Sequence, residues 1–153
     1  MRRIAIAAVL LGICCYRLPE STPREQSKPA PPPPAPAVRT WSANLFTSGG
    51  YSGGGKGVVF IDSQSVKKLS PPAQTELEAS VRDARPEKWN TVYRPAKDGM
   101  TDQFYYSLRF KIERADGSAG EYAVSWQDAA FGMLPRDLRR LYDALWAAHE
   151  ERR

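Results

Sequence analysis

Phe104-Tyr105-Tyr106-Ser107-Leu108-Arg109-Phe110-Lys111-Ile112-Glu113 is the stretch whose reading decides the fold. Phe104, Tyr106, Leu108, Phe110 and Ile112 alternate with Tyr105, Ser107, Arg109, Lys111 and Glu113. A period of two places the first set on one face of a β-strand and the second on the other. Asp116-Gly117 follows as a turn signal, and Glu121-Tyr122-Ala123-Val124-Ser125-Trp126 returns as an antiparallel partner.

Working backwards, Trp41, Ala43 and Leu45 alternate with Ser42, Asn44 and Phe46, and residues 57–62 form a short β-branched and aromatic run. These two strands make a hairpin. Its tip is Thr47-Ser48-Gly49-Gly50-Tyr51-Ser52-Gly53-Gly54-Gly55-Lys56-Gly57, where glycine fills six of eleven positions. That is longer than the usual hairpin loop of about two to five residues. Glycine is suited to positive φ or to close approach by another surface, and it costs order where neither is needed. The tip is therefore either a loose connector or a shaped contact loop.

Two helices complete the domain. Ser70-Pro71-Pro72-Ala73 opens the first with a capping serine and a proline at its first position. Ala73, Leu77, Val81 and Ala84 form its apolar stripe, and it stops before Pro86. The second starts near Pro135, with Leu138, Leu141, Tyr142, Leu145 and Ala148 on one face. Residues 85–101 are irregular, and Trp89 and Tyr93 within them either close the end of the core or serve as binding aromatics. The order strand, strand, helix, strand, strand, helix predicts an α+β domain over 40–153, a four-stranded antiparallel sheet with both helices on one face.

The preceding residues are of another kind. Met1-Arg2-Arg3 is a basic start, 4–13 is an apolar run, and Cys14 and Cys15 close it, so 1–15 has the form of a secretory signal. The run is shorter than the roughly 20 apolar residues a transmembrane helix needs. Cys14 and Cys15 are lipidation candidates of the bacterial lipoprotein type, with ordinary cleavage as the alternative. Either route predicts export, to the periplasm or to a lipid-anchored position on the membrane. Residues 16–39 are a proline-rich linker, whose run from Pro19 to Pro36 ends in Pro29-Ala30-Pro31-Pro32-Pro33-Pro34-Ala35-Pro36, a semi-rigid polyproline spacer.

The formal charge of +5 overstates the basicity of the domain. Arg2 and Arg3 account for two units, and 16–38 holds three basic and two acidic residues, which leaves the remainder near +2. Nucleic acid binding calls for a concentrated basic face, so no nucleic acid partner is expected. The arginines Arg136, Arg139, Arg140, Arg152 and Arg153 gather around the last helix as a solvated face.

No catalytic constellation can be assembled. Gly50-Tyr51-Ser52-Gly53-Gly54-Gly55-Lys56 has the glycine and lysine spacing of a phosphate loop, but Gly57 stands where a Ser or Thr belongs, and a strand follows instead of a helix. His149 is the single histidine, and both cysteines lie in the signal, so neither a zinc site nor a histidine-based triad is available. Asp62, Asp98, Asp102 and Asp128 are acids with nothing in sequence to pair them. We expect no enzyme, no cofactor and no metal. Tyr51, an aromatic on a flexible polar tip, has the form of a binding anchor.

Several short motifs share an order and spacing: Ser48-Gly49-Gly50-Tyr51-Ser52-Gly53; Leu77 in the first helix; Asp102-Gln103-Phe104-Tyr105-Tyr106; Asp116-Gly117; and Asp128 followed by Leu134, Leu138, Leu141 and Leu145. In these the domain resembles the emfourin family, small bacterial proteins similar to the inhibitor of protealysin, a thermolysin-like metalloprotease. The resemblance covers 44–148. Gly54-Gly55-Lys56-Gly57 lengthens the tip beyond the family pattern, and the signal and proline-rich segment extend it. The resemblance implies a monomeric metalloprotease inhibitor whose partner-binding residues are Ser48, Gly49, Gly50, Tyr51, Ser52 and Gly53. An alternative use of the same fold is a tethered cell-envelope module that binds an envelope protein or glycan through the open sheet face, with Tyr105, Arg109 and Lys111.

Overall fold

The computed structural model describes residues 36–50, 57–95 and 103–153. Strand β1 (Val38–Gly49) pairs antiparallel with β2 (Gly57–Asp62) on one side and with β4 (Phe104–Arg114) on the other. β4 pairs antiparallel with β5 (Ala119–Gln127) across the Asp116-Gly117 turn, where Gly117 takes φ +84°. β3 (Val92–Tyr93) then lies parallel to β5, with Val92 opposite Ser125 and Tyr93 opposite Trp126.

The sheet is therefore five-stranded and mixed, in the order β2-β1-β4-β5-β3, and the expected four-stranded antiparallel sheet is corrected by that added edge. Its α+β class stands. The extra strand formed inside the stretch read as irregular. Only two residues pair, and what orders them is the free edge of β5, whose Ser125 N–H donates to the Thr91 carbonyl (2.9 Å). No periodicity can announce a strand that short.

The alternation in β1, β2 and β4 sorts the side chains as the sequence pattern requires. Ala43, Leu45, Ile61, Leu108 and Phe110 are all essentially sealed from solvent, while Phe46, Val58, Phe60 and Tyr105 on the opposite face are about half exposed. Helix α1 (Pro71–Asp83) contributes Leu77 and Val81 to the buried side, and α2 (Arg136–Glu151) contributes Leu138, Leu141, Ala144, Leu145 and Ala148. All of these join one core with the inward side chains of the sheet. The second sheet face is left uncovered among the described residues.

Polar ties hold the helical layer. The Asp137 carboxylate accepts the backbone N–H of Arg85 and the indole N–H of Trp89, each at 2.8 Å. Trp89 and Tyr93 are both buried, so they close the core rather than offer binding aromatics. Ser70 occupies the N-cap of α1 without making a capping bond. Its N–H and its Oγ both bind the Glu151 carboxylate at the far end of α2, so the residue fastens one helix to the other. Arg140 bonds Glu76 and Asp83 of α1, and Arg152 donates to the Phe60 carbonyl of the outer strand β2 (3.1 Å). A charged side chain on an edge strand discourages pairing with other chains. Much of the basic helix face is thus engaged within the domain.

Replacing Asp137 by Ala leaves the buried Trp89 indole N–H without its acceptor. An unsatisfied buried donor costs about 1–3 kcal/mol, so the midpoint of urea unfolding should fall by a corresponding amount. Asp137→Asn retains an acceptor oxygen and should lose less. Equal stability of the Ala variant and the parent chain would show that this bond contributes nothing.

Candidate functional site

The glycine tip leaves the sheet in a defined direction. Gly49 has φ +102° and Gly50 φ +83°, a region that other residues seldom adopt. Space forbids a side chain as well: a Cβ on Gly49 would lie 2.3 Å from the Gln103 carbonyl oxygen, and one on Gly50 would lie 2.8 Å from the Phe104 ring. The Gly50 N–H donates to that same Gln103 carbonyl at 3.1 Å. Gln103 is itself buried, and the next N–H along, that of Phe104, donates to the Asp128 carboxylate at 3.1 Å. The two glycines therefore lie against a backbone segment held from its other side by Asp128.

Beneath the turn, Tyr106 stacks on Trp126 (5.4 Å, 9°), and Tyr142 meets both rings edge-on. Burial first, and then the neighbouring Asp128 carboxylate, push the Tyr106 phenol well above its ordinary value, so it stays protonated. Offset and edge-to-face aromatic contacts of this kind stabilise beyond their area alone. The end of the sheet that carries the turn is accordingly a firm base.

Of the six expected partner-binding residues, Ser48, Gly49 and Gly50 are placed, at the end of β1 opposite Tyr105 and Phe104. Tyr51, Ser52 and Gly53 lie outside the described residues, as do Cys14 and Cys15. The described half of the motif answers one question put by the sequence: the backbone here is shaped by contact, not loose.

On the open sheet face beside the turn lies a groove of about 330 Å3. Its floor is Ser107 and Ser125, adjacent in register, and its walls include Phe46, Val92 and Tyr105. Phe46 stands opposite Ser107 on one side, and Val92 stands opposite Ser125 on the other. Two small residues between two large ones make the depression. The signal for it was present in the sequence as Phe46, an apolar residue at an outward position, but Val92 reaches the face only through the unforeseen strand. Of the other residues considered for this face, Arg109 is exposed and Lys111 pairs with Glu121 at 3.1 Å.

Asp62 and Asp128, the two of the four acids that fall among the described residues, serve separate backbone segments. Asp62 accepts the N–H groups of Ser65 (2.7 Å) and Gln64 (3.1 Å) in the turn after β2, and hydrogen bonds from Ser65 hold its carboxyl below the usual range. Asp128 serves Phe104, while Asp98 and Asp102 lie outside the described residues. Among the described residues no group of three or more His, Cys, Asp or Glu is placed to hold a metal ion. None of their helices is long and apolar enough to cross a membrane. Searched against protein-family models, curated proteins and solved structures, the chain finds no match.

Gly49→Ala and Gly117→Ala both impose positive φ on alanine, which costs about 1–2 kcal/mol. A Cβ at Gly117 meets nothing within 4 Å, whereas one at Gly49 meets the Gln103 carbonyl. Thermal unfolding should therefore show Gly49→Ala clearly less stable than Gly117→Ala. Equal losses would mean that the backbone contact at Gln103 imposes no constraint.

Proposed function

We propose that this domain is a proteinaceous inhibitor of a thermolysin-like zinc metalloprotease. The loop that begins at Ser48-Gly49-Gly50 and carries Tyr51 enters the active-site cleft and blocks it by tight, reversible contact. The protein is exported, to the periplasm or to a lipid anchor at Cys14 or Cys15, and acts as a monomer without metal, cofactor or nucleic acid. The resemblance to the emfourin family motivates this reading.

The observation that carries it is the constrained backbone at Gly49 and Gly50, with positive φ at both and the Gly50 N–H bound to Gln103. A loop whose base is already ordered loses less conformational entropy on entering a cleft, and more of the contact energy remains as affinity. Side chains are absent at these two positions, so an approaching surface meets backbone first.

A second reading, a tethered envelope module that inhibits nothing, draws on the groove in the uncovered sheet face. In that case Tyr105, Arg109 and Lys111 carry the contacts, and the glycine tip is a connector.

Titrating the purified chain into a thermolysin-like protease with a small peptide substrate should abolish cleavage at micromolar inhibitor. Undiminished cleavage would overturn the proposal. Tyr51→Ala should weaken inhibition by roughly 2 kcal/mol or more, about thirtyfold, whereas the envelope-module reading leaves binding to its partner unchanged by this substitution.

A further inference from the structure

We infer that the groove on the open sheet face is a peptide-binding site for an extended acidic segment with a bulky apolar side chain. This goes beyond the inhibitor reading and does not depend on it.

The shape comes first. The groove crosses β3, β5, β4 and β1. Neighbouring strands lie about 4.8 Å apart, so four of them span roughly 14 Å, the reach of about four extended residues at close to 3.4 Å each. Ser107 and Ser125 leave a hollow between Phe46, 49% exposed, and Val92, 45% exposed. Tyr105, 52% exposed, stands beside it. Exposed aromatic and β-branched side chains around a hollow of small residues suit one apolar side chain of a ligand.

The polar groups indicate a peptide. Gln127 lines the groove, and its Oε1 is shielded from solvent without a hydrogen-bond partner among the described residues. An acceptor that water cannot reach is closed to a ligand as well, so recognition falls to the hydroxyls of the groove floor. The Ser107 hydroxyl in the floor has no hydrogen-bond partner among the described residues, and the Ser125 hydroxyl makes only a long bond to the Thr91 carbonyl (3.4 Å), so both can pair with a peptide backbone.

The charge indicates acidity. Arg94 lines the groove, and Arg109 follows Ser107 on the same face of β4; both are exposed. Neither has a carboxylate partner among the described residues, whereas the nearby Lys111 is paired with Glu121. Two guanidinium groups beside an apolar hollow complement carboxylates flanking an apolar side chain, in the forked geometry arginine offers. A neutral glycan could accept their hydrogen bonds but would leave both charges uncompensated.

The test uses the full chain and a short peptide with a central phenylalanine flanked on both sides by aspartates, labelled with an uncharged dye. Fluorescence anisotropy should show saturable binding that weakens as salt is raised. Amide shifts in NMR titration of the parent chain should concentrate at Ser107, Ser125 and Gln127. The same peptide with asparagines for aspartates should bind about tenfold more weakly or worse, and so should the parent peptide to the Arg94→Ala/Arg109→Ala double variant. Both arginines are exposed, and unchanged circular dichroism checks that the variant folds.

Absence of saturable binding at millimolar peptide, equal affinity for the asparagine peptide, shifts located elsewhere, or binding of a neutral oligosaccharide in place of the peptide would each overturn the assignment. Protease inhibition by the double variant is a separate readout, so failure here leaves the loop reading standing, and the reverse also holds.

Discussion

The register between β1 and β4 is the constraint on which the rest of the domain depends. Trp41 faces Ile112, Ala43 faces Phe110 and Leu45 faces Leu108, and all six are buried. A slip of one residue would turn Ser42, Asn44 and Phe46 into the core and expose the others. The register is fixed where Gly49 lies against the Gln103 carbonyl with no room for a side chain, a contact that a slip cannot preserve; at the other end the pairing shifts by one between Val38 and Thr40 before the Ala115 N–H donates to the Ala37 carbonyl at 2.7 Å. Because β2 and β5 pair with the outer sides of these two strands, their faces follow from the same choice.

Burial of one sheet face under two helices determines what the other face can be. The buried side is filled to the point of admitting a charged residue only with a partner: Arg114 reaches inward at the end of β4 and donates Nη2 to the Ala84 carbonyl at the end of α1 (3.1 Å). Helix arginines that a sequence reading places in solvent are spent on joining elements, as Arg140 does between α1 and α2. Such exposed ion pairs contribute little each, so their role is better described as orientation than as stability. The uncovered face, by contrast, keeps large apolar groups and two arginines without carboxylate partners among the described residues. What directs attention to the sheet is the set of large apolar side chains half exposed on its uncovered face, with Arg94 and Arg109 beside them.

The sequence made the long elements legible because their signals are local. Alternation over 104–113 and the Asp116-Gly117 turn located β4 and β5, and helical spacing located Leu138, Leu141 and Leu145 on the buried side of α2. Where the deciding partner was distant in the chain, local reading failed. β3 exists because β5 has a free side, Ser70 leaves its cap because Glu151 is within reach, and Trp89 is buried because Asp137 accepts its indole. The first glycines of the tip are the same case: composition alone could not show that Gly49 and Gly50 are shaped by contact, since the contacts are with the Gln103 carbonyl and the Phe104 ring. Of the expected binding motif, Ser48, Gly49 and Gly50 are placed, and contacts at Gly49 and Gly50 that are distant in sequence set their backbone.

The glycine turn and the groove are parts of one surface. Phe104 and Tyr105 are neighbours on β4 with side chains on opposite faces, and the turn touches both. The Phe104 ring lies under Gly50, and the Tyr105 ring is 3.2 Å from where a Gly49 Cβ would stand. Tyr105 is also a wall of the groove. The backbone at Gly49 and one wall of the groove therefore share the Tyr105 ring. Glycine at position 49 is what allows this proximity, since any side chain there would press on Tyr105 and on the Gln103 carbonyl together. The same absence of a Cβ that ends the β1–β4 ladder thus sets Gly49 directly beside the groove wall.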